Sequence, residues 1–133
     1  MRLQHGDICW TPATTPIMVG KRHYGLWDED VGAFIHNIRT GVGYCPRGAF
    51  GNRLIYVERR ASSAEVGRAA VHRARRLIGA RYHVLHFNCE SFVNYAAIGV
   101  PVSRQVHAFG AAAALAGGLA VLTSLAAYAA ASA

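Results

Sequence analysis

The chain has 133 residues and a mass of 14.3 kDa, which suits one domain and leaves no room for two independently cored units. Its 14 Lys and Arg residues outnumber its 7 Asp and Glu residues, so the formal net charge is +7 and the pI about 9.9. A hydrophobic fraction of 53% and a mean hydropathy of +0.18 exclude an intrinsically disordered chain, because such chains carry too little apolar surface to form a core.

The charges divide the chain into two parts. Every Lys, Arg, Asp and Glu lies at or before Arg104, which predicts a basic domain over residues 1–104 and an apolar tail over residues 105–133. As a helix, residues 108–131 would span a hydrocarbon core of about 30 Å, so we expect a C-terminal membrane anchor. An alanine-rich helix packed on the domain is the alternative. The small residues of the tail also permit self-association.

The start of the chain and its cysteines indicate the compartment. No apolar run precedes Asp7, so a secretory signal is not expected. Cys9, Cys45 and Cys89 are odd in number and widely spaced, which favours reduced thiols over a disulfide framework. We therefore expect a cytoplasmic domain that is anchored to a membrane and not secreted.

The pattern of the first half of the domain is typical of an antiparallel sheet. Strands are predicted at residues 6–10, 22–27, 33–38 and 53–57. The second and third form a hairpin around residues 28–32. The stretch 40–51 contains several Gly residues and a Pro and is predicted to be a loop.

A helix is predicted over residues 62–79. Ser62 and Glu65 match a capping box, and Gly79 supplies the stop. One face forms an apolar stripe of Val66, Ala70, Ala74, Leu77 and Ile78. The opposite, basic face carries Arg68, His72, Arg75 and Arg76. Such a face is usually solvated, and beside an apolar tail it could instead rest near anionic headgroups. Nucleic acid is not expected as a partner, because no aromatic residues alternate with these arginines.

A second helix is predicted after Asn88, a good N-cap, with Cys89 as its first residue and Gly99 at its end. The thiol would share the apolar face of this helix and look toward the sheet. The positive end of the helix dipole is expected to lower the pKa of Cys89, as in a thiol nucleophile. The alternative is that Cys89 is a small buried hydrophobic residue.

Two histidines on the predicted hairpin could serve such a nucleophile. His23 and His36 lie on its two strands, so their rings can become neighbours across it. A thiol nucleophile needs a base to hold its proton and a polar group to orient that base.

With these residues the chain resembles the lecithin:retinol acyltransferase family, and most of all its small H-ras-like-suppressor phospholipase/acyltransferase branch. The matching segments occur in order along the chain: residues 6–8, 23–27, 34–36, 88–93 and 104–106, followed by the apolar tail. The resemblance implies an α+β fold of the circularly permuted papain-like (NlpC) type, with a small antiparallel sheet, packed helices and a C-terminal apolar helix. It also implies acyl transfer from a phospholipid ester through a cysteine thioester to water, an amine or an alcohol.

The resemblance also assigns roles to residues. Cys89 matches the nucleophile, His23 the general base and His36 the residue that orients the base. Tyr82 and Asn88 match supporting positions. The resemblance implies a phospholipid acyl donor and the membrane surface as partners, and we expect no cofactor.

The chain departs from the family pattern at several positions. Ser91 replaces a second histidine, Phe87 an arginine and Trp27 a tyrosine. The hairpin between His23 and His36 is one residue longer than usual, which could change the strand register and the contact between the two rings.

Three other interpretations remain open at this stage. The chain could be an NlpC-type cysteine peptidase or amidase, or a catalytically silent membrane-associated scaffold. A metal site could be built from ligands such as His5, His83 and His86, but none of the His and Cys residues has the paired spacing of a zinc motif, so no metal is expected.

Overall fold

The structure is a computed structural model that describes residues 1–13, 21–51, 54–83, 88–100, 103–104 and 111. It divides into two compact units, Met1–Ser103 and Arg104–Ala133. The elements described below belong to the first unit. The predicted tail helix falls almost entirely outside the described residues, so it stays a prediction.

The first unit has an α+β fold built on one antiparallel sheet. In chain order the five strands are β1 (Ile8–Pro12), β2 (Arg22–Asp28), β3 (Ala33–Ile38), β4 (Gly41–Pro46) and β5 (Tyr56–Arg59). The spatial order is β4-β3-β2-β1-β5. The first four strands therefore form a meander, and β5 pairs with the outer side of β1. The predicted hairpin is confirmed as β2 and β3.

The sequence prediction was wrong about β4, which falls in the stretch expected to be a loop. Its Gly and Pro residues are compatible with a strand because β4 lies at the edge of the sheet, where a missing N–H donor is tolerated. Gly41 has φ +112°, a conformation that side chains disfavour, and a Cβ there would lie 2.7 Å from the Ala80 carbonyl oxygen. The last strand, β5, begins at Tyr56 and not at residue 53.

Two helices pack on one face of the sheet: α1 (Ala64–Arg75) and α2 (Cys89–Ile98). The first was predicted with the wrong boundaries. Ser63, and not Ser62, is the N-cap, and its Oγ accepts a hydrogen bond from the Val66 amide at 3.2 Å. Helical geometry stops at Arg75, so Leu77 and Ile78 lie in the turn that follows.

The buried face of α1 also differs from the predicted stripe. Val66 is 43% exposed, whereas Gly67 and Val71 are buried together with Ala70 and Ala74. A Cβ at Gly67 would lie 2.1 Å from the His5 carbonyl oxygen. The helix therefore turns its smallest residue toward the N-terminal segment, and this close approach sets its rotation.

The two faces of the sheet belong to two hydrophobic clusters. The helix-covered cluster joins both helices to the strands and includes Leu26, Ile35, Val71, Cys89, Phe92 and Val93. The cluster on the other face includes Leu3, Cys9, Trp27, Phe34, Cys45 and Phe50. Because side chains alternate along a strand, His23 and His36 share the face of Trp27 and Phe34. The thiol and the two histidines thus approach β2 from opposite sides.

Candidate active site

The hairpin brings the two predicted histidines together. Gly25 pairs with His36 across β2 and β3, so His23, two residues earlier on β2, is the diagonal neighbour of His36 on the same face. The Nε2 atom of His23 lies 3.0 Å from the Nδ1 atom of His36, and the ring centroids are 5.1 Å apart. The longer hairpin therefore does not separate the rings.

A phenylalanine that sequence reasoning did not single out supports this pair. The Phe50 ring is 1% exposed and lies 5.4 Å from the His23 ring and 6.2 Å from the His36 ring, centroid to centroid. It occupies the space above Gly25, where a Cβ would come within 2.8 Å of the Phe50 Cε2 atom. Gly25 is therefore needed so that Phe50 can pack against both imidazoles.

The N-terminus of α2 is fixed by an extensive cap. The Oδ1 atom of Asn88 accepts hydrogen bonds from the Glu90 and Ser91 amides, each at 3.0 Å. In return, the Ser91 Oγ atom accepts from the Asn88 amide at 2.8 Å, which completes a capping box. The predicted N-cap and helix start are thus confirmed. Ser91 has a structural role where the resembling family has a histidine.

A buried polar group extends this cap. The Ser103 hydroxyl donates to the Glu90 carboxylate at 2.7 Å and lies 3.3 Å from the Asn88 side-chain amide nitrogen. Glu90 is 3% exposed and Ser103 5% exposed. Sequence reasoning gave Ser103 no role, because nothing in the sequence links it to a helix that begins fourteen residues earlier. The group holds the first turn of α2, and with it Cys89, in one position.

The Cys89 sulfur lies against the backbone of β2 on both sides of His23. Its Sγ atom is 3.9 Å from the Arg22 carbonyl oxygen, and the Tyr24 amide is close enough to lower the pKa of the thiol. The backbone N–H and C=O of Trp27 bind the segment just before β1. Since backbone groups alternate in direction along a strand, those of Gly25 and His23 also face β1. The Arg22 carbonyl and Tyr24 amide must therefore point the other way, toward β3.

On that side the ladder between β2 and β3 spans Gly25 to Asp28. The sulfur therefore sits where β3 has parted from β2, at the open end of the hairpin. This position explains how a thiol on the helix-covered face reaches the strand segment that carries His23.

Burial controls the protonation of the thiol. Cys89 is 5% exposed, and this burial raises the pKa of its thiol above the usual 9.0. The amides of Tyr24, Glu90 and Cys89 itself lower that pKa, but they do not outweigh burial. The expectation of a lowered Cys89 pKa was therefore wrong, because the positive end of the helix competes with nearly complete loss of solvent.

Both imidazoles are held in the neutral form. Burial and the neighbouring His36 lower the pKa of His23 from 6.5 to about 4, and burial also lowers the pKa of His36. At neutral pH the thiol and both rings are therefore uncharged. The contact with His36 is made by the Nε2 atom of His23, so the Nδ1 atom of His23 takes no part in it.

Tyr82 lies near Cys89. It is half-buried, and its pKa is raised by burial and by the proximity of Cys89. Trp27 is buried in the other cluster, with its ring centroid 4.9 Å from that of Phe34. Phe87 lies outside the described residues.

A second group of titratable side chains lies at the opposite end of β2. Ligand atoms of His5, Asp28 and Asp30 lie within 4.8 Å of one another. The Arg75 guanidinium binds both oxygens of Asp28, at 2.8 and 2.7 Å, and Asp30 at 2.8 Å. Arg75 was expected on a solvated face, so this prediction was wrong. A cation already neutralises these carboxylates.

Comparisons with known proteins do not extend this picture. No family model, curated protein or solved structure matches the chain. Within the described ranges, no helix is both long and apolar enough to cross a bilayer.

Proposed function

We propose that the protein is a thiol-dependent acyltransferase or phospholipase that takes an acyl chain from a phospholipid ester. The observation that carries the proposal is the 3.0 Å contact between His23 and His36, located beside the backbone segment that holds the Cys89 sulfur. A thiol, an imidazole and a second polar group in this order supply a nucleophile, its base and the group that orients the base.

In the first step the Nδ1 atom of His23 takes the proton of the Cys89 thiol. This requires the tautomer in which His23 donates its Nε2–H to the Nδ1 atom of His36. The thiolate attacks the ester carbonyl carbon, and a tetrahedral oxyanion forms. When it collapses, the C–O bond to the lysophospholipid breaks, and the leaving oxygen takes the proton back from His23. The product is an acyl thioester on Cys89.

In the second step water, an amine or an alcohol attacks the thioester, and His23 accepts its proton. The sulfur leaves as a thiolate, which regains the proton from His23 and restores the neutral site. The Cys89 amide is suited to bind the oxyanion of both steps. The neighbouring Glu90 and Ser91 amides already donate to Asn88, whereas the Cys89 amide lies at its own sulfur.

The order of the elements supports a fold of the circularly permuted papain-like type. The strands that carry the base and its partner precede the helix that carries the nucleophile. With the predicted apolar tail, this domain would act on the cytoplasmic side of a bilayer, where its acyl donor is concentrated. Its net charge of +7 suits anionic lipid surfaces.

The burial of the thiol favours a second candidate, a catalytically silent scaffold. A Cys89 thiol that is 5% exposed and hydrogen-bonded to the Arg22 carbonyl can be an inert core residue. An NlpC-type amidase would use the same three side chains on an amide and would leave phospholipid esters intact.

Lipid products decide among these candidates. The full chain is incubated with vesicles of phosphatidylcholine and phosphatidylethanolamine, and fatty acid, lysophospholipid and N-acyl products are measured by mass spectrometry. The matched variants are Cys89→Ala and Cys45→Ala, since Cys45 is also buried but lies on the other face of the sheet. We expect turnover by the wild type and Cys45→Ala and none by Cys89→Ala. Equal product from all three would contradict the proposal.

A further inference from the structure

Three side chains form a continuous stack across three strands. Trp10 on β1 pairs with Tyr56 on β5, and their rings are stacked at 4.4 Å with an interplanar angle of 19°. On the other side, the Arg22 guanidinium of β2 lies 4.4 Å from the centre of the Trp10 ring. We call Tyr56, Trp10 and Arg22 the aromatic–arginine stack.

The stack is accessible to solvent. Tyr56 is 44% exposed, the Arg22 side chain is 47% exposed and Trp10 is partly buried. Leu54, just before β5, is 56% exposed and adds an apolar residue to this region. The exposed surface therefore combines a cation with aromatic and aliphatic groups.

One end of the stack reaches the candidate active site. The carbonyl of Arg22 is the hydrogen-bond acceptor of the Cys89 thiol, and the next residue is His23. A ligand bound by the Arg22 side chain would therefore lie close to the Cys89 sulfur, because the backbone carbonyl of Arg22 contacts that sulfur.

We infer that the aromatic–arginine stack docks the protein on the phosphate headgroups of an anionic phospholipid bilayer. This inference rests on the proposed function and specifies which surface meets the lipid. Tyrosine and tryptophan favour the boundary between headgroups and acyl chains, because their rings are apolar and their edges polar. Arginine binds phosphate oxygens through two parallel N–H donors.

The charges around the stack fit this occupant. The Arg22 guanidinium is paired with Glu58 at 3.1 Å, an ion pair near the surface that a phosphate can displace. Lys21, just before Arg22, is exposed, as is Arg59 at the end of β5. Arg60, which follows β5, binds the buried Asp7 carboxylate at 2.9 Å. The alternative docking surface is the exposed basic face of α1. It carries the cations Arg68 and Arg76 but no aromatic ring.

The position of Trp10 relative to lipid tests this inference. The chain has two tryptophans, and Trp27 is 7% exposed in the core, so Trp10 is the fluorophore that lipid can reach. The full chain carrying Cys89→Ala is reconstituted into vesicles of phosphatidylcholine, with or without phosphatidylglycerol, that contain brominated acyl chains. We expect quenching of tryptophan emission in the anionic vesicles, and loss of that quenching in a Trp10→Phe variant.

Arginine variants identify the docking surface. We expect Arg22→Gln to weaken the dependence of quenching on phosphatidylglycerol about fivefold, the effect of one basic residue near an anionic surface. The matched control Arg68→Gln should leave it unchanged. Unquenched Trp10, or a larger effect of Arg68→Gln than of Arg22→Gln, would overturn the inference. Circular dichroism of each variant confirms that it is folded.

The readout is independent of catalysis, because the protein in this experiment lacks the thiol. Quenching by a protein whose wild type forms no lipid product would support the docking surface and contradict the proposed function. Lipid turnover by the wild type without quenching of Trp10 would support the proposed function and contradict the docking surface.

Discussion

The two ends of strand β2 carry two groups of titratable side chains with opposite properties. At its C-terminal end, Asp28 is fully buried and binds the Arg75 guanidinium through both carboxylate oxygens. Burial alone would raise the pKa of Asp28, but hydrogen bonds from Arg75 and Tyr44 hold it below its usual value. At the N-terminal end, Cys89 is buried and His23 is partly buried, loss of solvent outweighs the other effects on their pKa values, and both stay neutral at pH 7.

The contrast shows how burial produces either a structural or a reactive group. A buried charge that receives several hydrogen bonds is stabilised in one state and has no proton to exchange near neutral pH. The partly buried His23 imidazole and the buried Cys89 thiol, which contacts the backbone of the same strand segment, both stay neutral and so keep a basic nitrogen and an acidic proton. We therefore expect substitutions at the Asp28 end to change stability and substitutions at the His23 end to change activity.

The largest effect is expected for the base. His23→Gln should lower acyl transfer by about 10²–10⁴-fold, because it removes the group that accepts the thiol proton. His72→Gln, an exposed histidine on α1, is the control and should retain wild-type rates. Initial rates of lipid product formation measure both. A rate for His23→Gln within twofold of the wild-type rate would contradict a catalytic role for the N-terminal end of β2.

Acid should destabilise the fold through the same histidine. The pKa of His23 is about 4 in the folded state and 6.5 in a solvated chain, so below pH 6.5 the unfolded state binds more protons. Stability is then fully present above pH 6.5 and is lost as the pH falls toward 4. We expect a loss of about 3 kcal/mol attributable to His23. Urea unfolding at pH 7 and pH 4 measures it, and a pH dependence that His23→Gln leaves unchanged would contradict it.

At the other end of β2, Arg75→Gln should lower the free energy of unfolding by about 2–3 kcal/mol. The substitution removes the guanidinium that binds the buried Asp28 carboxylate. Because the Arg75 side chain is 37% exposed, the loss of stability is smaller than for a fully buried ion pair. Arg76→Gln, the exposed neighbour, should change stability by less than about 0.5 kcal/mol. Activity per folded molecule should be unchanged in both. Thermal and urea unfolding supply the measurement, and lost activity in well-folded Arg75→Gln would argue against a purely structural role.

The smallest effect concerns the support of the histidine pair. Gly25→Ala places a methyl group 2.8 Å from the Phe50 ring, which must shift away from both imidazoles. We expect a cost of about 1–3 kcal/mol in stability and a measurable loss of rate. In the control Gly43→Ala, on the edge strand β4, a Cβ meets nothing within 4 Å. Equal behaviour of the two variants in unfolding and rate assays would show that Phe50 does not support the site.

Much of the site was predictable because its elements carry strong local signals. The hairpin followed from two strand-like runs around residues 28–32, and α2 followed from the N-cap Asn88 and the stop at Gly99. These two elements place His23 and His36 together and set Cys89 at a helix N-terminus. The pattern N-x-x-S that starts at Asn88 also places Ser91 where its side chain can complete the capping box.

The remainder depends on contacts between distant segments, which no local pattern encodes. Edge position made β4 tolerant of Gly41 and Pro46, and local propensity cannot reveal where a strand lies in a sheet. The partners of Arg75 come from a hairpin more than forty residues earlier. The pKa of Cys89 was misjudged for the same reason, because the helix dipole is visible in the sequence and burial is not.

The central claim is that Cys89 becomes acylated by phospholipid. Intact-protein mass spectrometry of the full chain after incubation with phosphatidylcholine and phosphatidylethanolamine tests it most directly, with Cys89→Ala beside the wild type. The account predicts a fatty-acyl mass increment on the wild type alone, removed by neutral hydroxylamine as a thioester is. An unmodified wild type that also releases no fatty acid, or an increment that persists in Cys89→Ala, would contradict it.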